Sequence, residues 1–300
     1  MSAKKSQEAS SPSPLLAIPR LLVRLFQGET RPVALGVLIV VLFVSFWYVV
    51  WRQVGDEVLT SQDYWVKLED LEVTPLPPWI EDGFRAEGYR DASLGGPLSI
   101  MDPKLTERIA KAFALHPWVA QVNRVQKSHP GRVKVDLVYR RPVCIVLSPS
   151  GPHPVDAEGV VLPIKDFSLV ELSNYPHLVG IGTLPVGPEG TRWGDPRVVG
   201  GAEVAAALGE VWKDLGLERI APCATVDQVP VEEPQFELYT RGGTRILWGR
   251  APGTHVPDEV PASLKLARLK DYRATFGSLD AARGSQPLDV RSMRSMQSSR

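Results

Sequence analysis

Thiols are scarce in this chain. Two cysteines in 300 residues, Cys144 and Cys223, are too few for a disulfide framework or a zinc site built on thiolates. One bridge between them stays open, because sequence spacing does not say whether their Cα atoms come within the roughly 7 Å that bonding needs. Net charge is missing too. Thirty-four Lys and Arg offset 34 Asp and Glu, which argues against a general nucleic-acid binder with its basic excess. No His-Glu-x-x-His, paired Cys-x-x-Cys or Gly-x-Ser-x-Gly motif occurs, and the five histidines (His116, His129, His153, His177 and His255) are scattered. No catalytic, metal or cofactor residue is assigned on these grounds, and no small-molecule substrate. Proline, by contrast, is plentiful at 27 residues, which predicts many loops and edge strands. An apolar share of 44% with 23% charged residues fits a globular chain of about two domains.

The longest uncharged stretch runs from Val33 to Trp51, VALGVLIVVLFVSFWYVVW. At about 1.5 Å per helical residue it covers roughly the 30 Å hydrocarbon core of a bilayer. Arg31 and Arg52 bracket it, and Trp47, Tyr48 and Trp51 cluster at one end like an interfacial belt. A core helix would admit polar positions sooner. A cleaved signal peptide would have a shorter apolar region of about 7–15 residues, nearer the N-terminus and followed by small residues. The stretch therefore reads as an uncleaved signal anchor, a transmembrane helix over 33–51. Lys4, Lys5, Arg20, Arg24 and Arg31 precede it, whereas Arg52 and Lys67 follow among Asp56, Glu57, Asp63, Glu69 and Asp70. The excess of Lys and Arg before the span predicts a cytoplasmic tail over 1–32 and an exported remainder. The expectation is a single-pass protein of the cell (inner) membrane with its C-terminal domains in the periplasm or extracytoplasmic space. Within the tail, 1–14 has a disordered Ser/Pro composition. Leu15, Ile18, Leu22 and Phe26 share one helical face, which suits either an interfacial helix or a plain basic flank.

Beyond the span, Val66–Thr74 reads as a strand and Trp79–Glu87 as a short helix. Asp102 as N-cap and Pro103 at N1 open a second helix with Leu105, Ile109, Ala112 and Phe113 on one face, closed by His116-Pro117. Two strands follow, Val119–Lys127 and Arg132–Tyr139, about a turn at Ser128-His129-Pro130-Gly131. Val133, Val135, Leu137 and Tyr139 alternate with Lys134 and Asp136, so one face is buried and the other wet. The order strand-helix-helix-strand-strand predicts a small α+β unit with both helices on one face of a sheet.

A βααββ module directly after a signal anchor resembles a POTRA domain. The run His116-Pro117-Trp118-Val119, the Pro-Gly hairpin, the alternating strand and Arg140-Arg141-Pro142 resemble the pattern of the FtsQ/DivIB family of bacterial cell-division proteins. Arg140 departs from that pattern, standing where the family has the acidic residue of Glu-Arg-Pro.

The rest reads as a second, β-rich module. Val143–Leu147 is a short strand, and Val155–Pro163 reads as strand, turn, strand, similar to the Val-Asp-x-x-Gly hairpin opening the β domain of the same family. Asp156 and Glu158 would be a general acid/base pair on a catalytic reading; an acidic turn closed by Gly159 is preferred. Residues 164–200 are loop-rich. A helix is expected over Ala202–Leu215, with Val204, Leu208, Val211, Trp212 and Leu215 on one stripe, then a strand at Ala224–Val229. Phe236, Leu238 and Thr240 pair with Ile246 and Trp248 across Arg241-Gly242-Gly243-Thr244. A helix over Val260–Thr275 places Leu266, Leu269, Tyr272 and Phe276 inside and Lys265, Arg268, Lys270 and Arg273 outside. Pro287-Leu288-Asp289-Val290-Arg291 resembles a strand late in the family's β domain, and 292–300 reads as a frayed tail.

The overall expectation is α+β: a transmembrane helix, a POTRA-like domain over 64–142 and a mixed β-rich domain with packed helices over 143–291. The resemblance implies a divisome scaffold without catalysis that binds small single-pass proteins of the FtsB/DivIC and FtsL types. It places their contact at the late strand, here Leu288, Asp289, Val290 and Arg291. Two alternatives stand beside it, a POTRA-bearing chaperone or assembly accessory of the envelope and a membrane-anchored exported hydrolase.

Overall fold

The computed structural model describes residues 31–59, 62–223, 233–254, 259–281 and 287–291. The tail segments 1–14 and 15–26, the strand expected at Ala224–Val229 and the tail 292–300 lie outside the described residues. The chain divides into two units, one up to Tyr64 and one from Trp65 onward. In the first, helix α1 (Arg31–Leu59) contains a stretch, Leu35–Gln53, long and apolar enough to cross a membrane, with none of it buried. It continues past Trp51, where the uncharged run ends.

The second unit has mixed α/β structure built on two sheets. Its first part follows the expected element order: β1 (Leu71–Val73), α2 (Phe84–Ser93), α3 (Leu105–Ala114), β2 (Val119–Ser128) and β3 (Arg132–Tyr139). The sheet order is β1-β3-β2, with β1 parallel and β2 antiparallel to β3. Val133, Val135 and Leu137 face inward against Phe84, Leu105, Ile109 and Phe113. Gly88 allows the helices to meet, since a Cβ there would run into the Phe113 ring. Arg108 of α3 ties down the chain after α2, donating to Ala92 O at 3.1 Å and Gly96 O at 2.5 Å.

Two boundaries differ from expectation. The strand expected at Val66–Thr74 shrinks to β1, because Leu68–Asp70 winds into a 3₁₀ turn before the pairing with β3 begins. The helix expected near Trp79–Glu87 starts at Phe84, past the Pro77-Pro78 pair, and runs to Ser93. Asp102, expected as the N-cap, instead caps the turn ahead of the helix: its Oδ1 accepts from Lys104 N at 2.8 Å, while the helix starts at Leu105 with Lys104 in the cap position and no side-chain cap bond.

Among the described residues the second sheet has seven strands: β4 (Cys144–Ser148), β5 (Gly151–Val155), β6 (His177–Leu178), β7 (Leu217–Pro222), β8 (Gln235–Thr240), β9 (Arg245–Arg250) and β10 (Leu288–Asp289). Their order is β10-β9-β8-β7-β6-β4-β5. A single helical turn, α4 (Leu169–Leu172), precedes β6, and α5 (Pro196–Leu208) precedes β7. Helix α6 (Ala262–Phe276) follows β9. The core gathers Leu178, Val198, Ala205, Leu208, Ile220, Leu238, Trp248 and Leu269. Gly200 and Gly201 set α5 close to the strands, since Cβ atoms there would lie 2.8 Å from the Phe236 ring and 2.7 Å from Leu178.

Here too the expected boundaries move. The helix expected over Ala202–Leu215 starts at Pro196, capped by Asp195 Oδ1 on Arg197 N at 2.9 Å, and stops at Leu208. Trp212 and Leu215 are buried as expected, but from turns. The strand, turn and strand expected within Val155–Pro163 are present in reduced form: β5 ends at Val155, Asp156–Gly159 forms the turn, and Val161 bridges back antiparallel to Val155. In α6, Lys265 is buried rather than outside, because its ammonium pairs with Glu259 and sits 5.1 Å above the Trp248 ring. Phe276, expected inside, is 52% exposed at the helix end, its ring tilted against that of Tyr272.

The two sheets meet around Trp118. Its indole Nε1 donates to Asp166 Oδ2 at 2.5 Å, and its ring lies 5.9 Å from Phe167. Trp79 Nε1 donates to Arg140 O at 3.1 Å, and Lys165 reaches Glu87 at 3.3 Å.

Candidate partner-binding edge

A sheet end can accept another strand only if its outward main-chain groups are free. At the β5 end they are not. The β4 register pairs Val146 with His153 and Cys144 with Val155, so Pro152 and Pro154 are the outward residues. Neither has an N–H, and Pro154 O already accepts from Leu162 N at 2.8 Å.

The β10 end differs. Val290 N donates to Leu247 O at 3.3 Å, so the main chain of Leu288 and Val290 faces β9 while that of Asp289 and Arg291 faces away. Side chains alternate accordingly. Leu288 and Val290 point into the core, while Asp289 and Arg291 lie half-exposed on the other face. The four residues expected to bind a partner thus sit at the sheet's edge, two as inward anchors and two facing outward, of which Arg291 N–H is already bonded to the Asp289 carboxylate.

Asp289 and Arg291 form a closed local unit. Asp289 Oδ1 accepts from Arg291 N at 2.9 Å and from its Nε at 3.0 Å, and Oδ2 accepts from Nη2 at 2.9 Å. Burial alone would raise the Asp289 carboxyl, but these donors outweigh it and hold it below the ordinary carboxylate range. Helix α6 fixes the same strand from inside, since Arg268 Nη1 donates to Val290 O at 2.6 Å. Gly249 on β9 is required here. Its φ is +90°, and a Cβ would lie 2.8 Å from Glu259 Oε1 and 3.2 Å from Arg291 Cγ.

The open face next to the edge carries a polar cluster. Glu237 accepts from Arg245 Nε at 2.7 Å, Tyr239 OH at 2.8 Å and Cys223 Sγ at 2.8 Å. Arg245 is the main cause that holds the Glu237 carboxyl at about 2, against the opposing effect of burial. The Arg219 guanidinium lies 4.7 Å above the Tyr239 ring. Both carboxylate oxygens of Glu237 have partners within the chain.

Asp156 and Glu158 build the preferred turn. Asp156 Oδ1 accepts from Glu158 N at 3.0 Å and Val160 N at 2.8 Å, while Oδ2 takes Arg140 Nη1 at 2.6 Å. Burial and the adjacent Asp156 push the Glu158 carboxyl up. The cleft between the two sheets, lined by Phe84, Glu87, His116, Trp118 and Lys165, is about 70 Å³, room for a few waters. Among the described residues no cluster of three or more His, Cys, Asp or Glu could hold a metal. Cys144 and Cys223 are both free thiols, so the bridge left open by the sequence is not formed.

The Asp289–Arg291 clamp and the Arg268 anchor escaped the sequence reading, although opposite charges two apart on a strand share a face. Lys265 was masked by its charge. No family model matches the chain, and no curated protein matches it.

Proposed function

We propose that this protein is a single-pass membrane scaffold of the bacterial divisome, similar to FtsQ/DivIB proteins. On this reading α1 spans the membrane with its N-terminus in the cytoplasm, and the βααββ unit serves as a POTRA-like domain. The seven-stranded sheet binds small single-pass division proteins of the FtsB/DivIC and FtsL types, without catalysis. The observation that carries the reading is the asymmetry of that sheet. One end is closed by Pro152 and Pro154, and at the other the N–H and C=O of Asp289 point outward and meet no partner among the described residues. A strand added there gains main-chain hydrogen bonds, with selectivity from alternate side chains. The Lys and Arg excess before α1 supports the orientation.

Asp289→Pro is the discriminating variant. It deletes the outward donor while leaving Leu288 and Val290 in the core, whereas substitutions at those two residues disturb folding. In cells co-expressing a tagged partner of the FtsB/DivIC type, D289P is expected to lose pull-down with an unchanged circular dichroism spectrum. Retained pull-down removes the reading. Impermeant thiol labelling of a cysteine placed at Gln62, in spheroplasts, is expected to succeed if the region after α1 is exported.

A further inference from the structure

The β10 strand is two residues long although the chain stays extended beside β9 through Val290. Both directions in which pairing would continue are capped by side chains. The next inward acceptor, Val290 O, is taken by Arg268 Nη1. The next outward donor, Arg291 N–H, is taken by the Asp289 carboxylate at 2.9 Å. The first cap faces the core and anchors the strand to α6. The second faces solvent and occupies the very group that an incoming strand would need after Asp289 N–H.

We propose that Asp289 is a built-in lock on the sheet edge, holding Arg291 N–H so that an extended segment of a partner must displace the carboxylate to pair beyond one residue. This rests on the strand-addition reading above and deepens it. The geometry suits a lock rather than a structural brace. Asp289 and Arg291 hydrogen-bond only with each other among the described residues, through three bonds. Their side chains are 39% and 38% exposed, so opening the clamp returns both charges to water instead of stranding them in the core. Main-chain groups at a sheet edge are a liability when left free. A carboxylate that covers one of them restrains indiscriminate pairing, and a strand that docks correctly along Asp289 N–H and C=O competes it away. The lock therefore acts as a selectivity filter, favouring partners that gain additional contacts over those offering backbone alone.

The test compares three full-length proteins in detergent: wild type, Asp289→Ala and Asp289→Pro. The probe is a fluorescein-labelled peptide of alternating Thr and Val, read by anisotropy. Asp289→Ala frees Arg291 N–H and keeps the Asp289-position donor, and is expected to bind about tenfold tighter than wild type, the worth of one charge-assisted hydrogen bond. Asp289→Pro opens the clamp but removes the outward donor, and is expected to bind more weakly than wild type. If Asp289→Pro weakens binding while Asp289→Ala equals wild type, the edge accepts strands and the lock is refuted. If all three are equal, or none binds, both the lock and the edge are refuted. Arg291 amide exchange gives an independent readout, expected to rise at least tenfold in Asp289→Ala while Val290 exchange stays unchanged; equal Arg291 exchange overturns the lock.

Discussion

Replacing Arg140 tests the physical account of the junction between the two sheets. Arg140 sits where β3 ends, and its main chain is held on both sides, N–H to Trp118 O at 2.8 Å and C=O to the Trp79 indole at 3.1 Å. Its guanidinium crosses to Asp156, which is 3% exposed, at 2.6 Å, and more distantly to Glu158 at 3.4 Å. Arg140→Ala leaves the main-chain bonds in place and strands the buried carboxylate. Breaking a buried pair from one side generally costs about 3–5 kcal/mol. Asp156 keeps two backbone N–H donors, which brings the expected loss below that range, to about 2–3 kcal/mol. For a unit of this size that is about 5–10 °C in Tm. Arg140→Met, which retains the apolar stem, separates lost charge from lost packing and is expected to fall within about 1 kcal/mol of the alanine variant. In a double-mutant cycle with Asp156→Asn, the carboxylate is no longer there to strand, and a coupling of about 1–2 kcal/mol is expected. The assay is urea unfolding of the full chain in detergent, followed by circular dichroism. A loss below about 0.5 kcal/mol for Arg140→Ala, or no coupling, would refute the argument.

Gly200→Leu drives a side chain into the Phe236 ring where a Cβ alone already lies at 2.8 Å. Thermal melts are expected to show about 1–3 kcal/mol of destabilisation, and a neutral result would mean that α5 does not lie that close to β8. Stability should also fall on acidification in two stages. Burial, outweighing the Glu87 carboxylate, lowers the folded pKa of His116 below its ordinary 6.5, so the unfolded chain takes up that proton first and stability declines as pH drops below 6.5. Glu237, held at about 2 chiefly by Arg245, contributes stability above its unfolded value of 4.5 that is lost as pH falls from there towards 2. His116→Gln should flatten the first stage. Glu237→Gln should make the second shallower but not flat, because Glu87, Asp195 and Asp289 are also lowered.

The elements legible in the sequence are those whose pattern is settled locally. The β2–β3 and β8–β9 hairpins declare themselves because a Gly-containing turn lies beside an alternating strand, Val133–Tyr139 in one and Phe236–Thr240 in the other, and the stripe of Leu105, Ile109 and Phe113 needs no tertiary help. Where the structure departs, a neighbour decides. Helix α5 carried a good start signal in Asp195-Pro196, but Gly200-Gly201 argues against a helix unless one knows that Phe236 and Leu178 fill the space a Cβ would take. Lys265 lies on the Leu269 stripe, and its burial is tolerable only because Glu259, Arg250 O and the Trp248 ring receive its ammonium, which the helical pattern does not show. The edge residues Leu288–Arg291 were identified by resemblance; their division into two inward anchors and two outward positions needed the register with β9. The prolines of β5 were visible as residues, yet their meaning depends on which side of the strand lies outermost.

On the proposed reading, a short edge gives a membrane-spanning α1 a purpose. Between Asp289 and Arg291 the outward main chain offers few hydrogen bonds, each worth about 1 kcal/mol net in water. Association from dilute solution sacrifices an estimated 4–15 kcal/mol of translational and rotational freedom, so strand addition alone binds poorly. Confinement of both chains to one membrane changes that balance, because tethering raises the effective concentration towards the millimolar range and makes the second contact nearly intramolecular. On the proposed reading, α1 and the β10 edge form one device. On that reading the helix would supply the concentration, and the weak, clamped edge would supply selectivity and release. A longer open edge would bind more tightly in solution and would also pair with any exposed strand in its compartment, which is the liability that Pro152 and Pro154 remove at the opposite end of the same sheet.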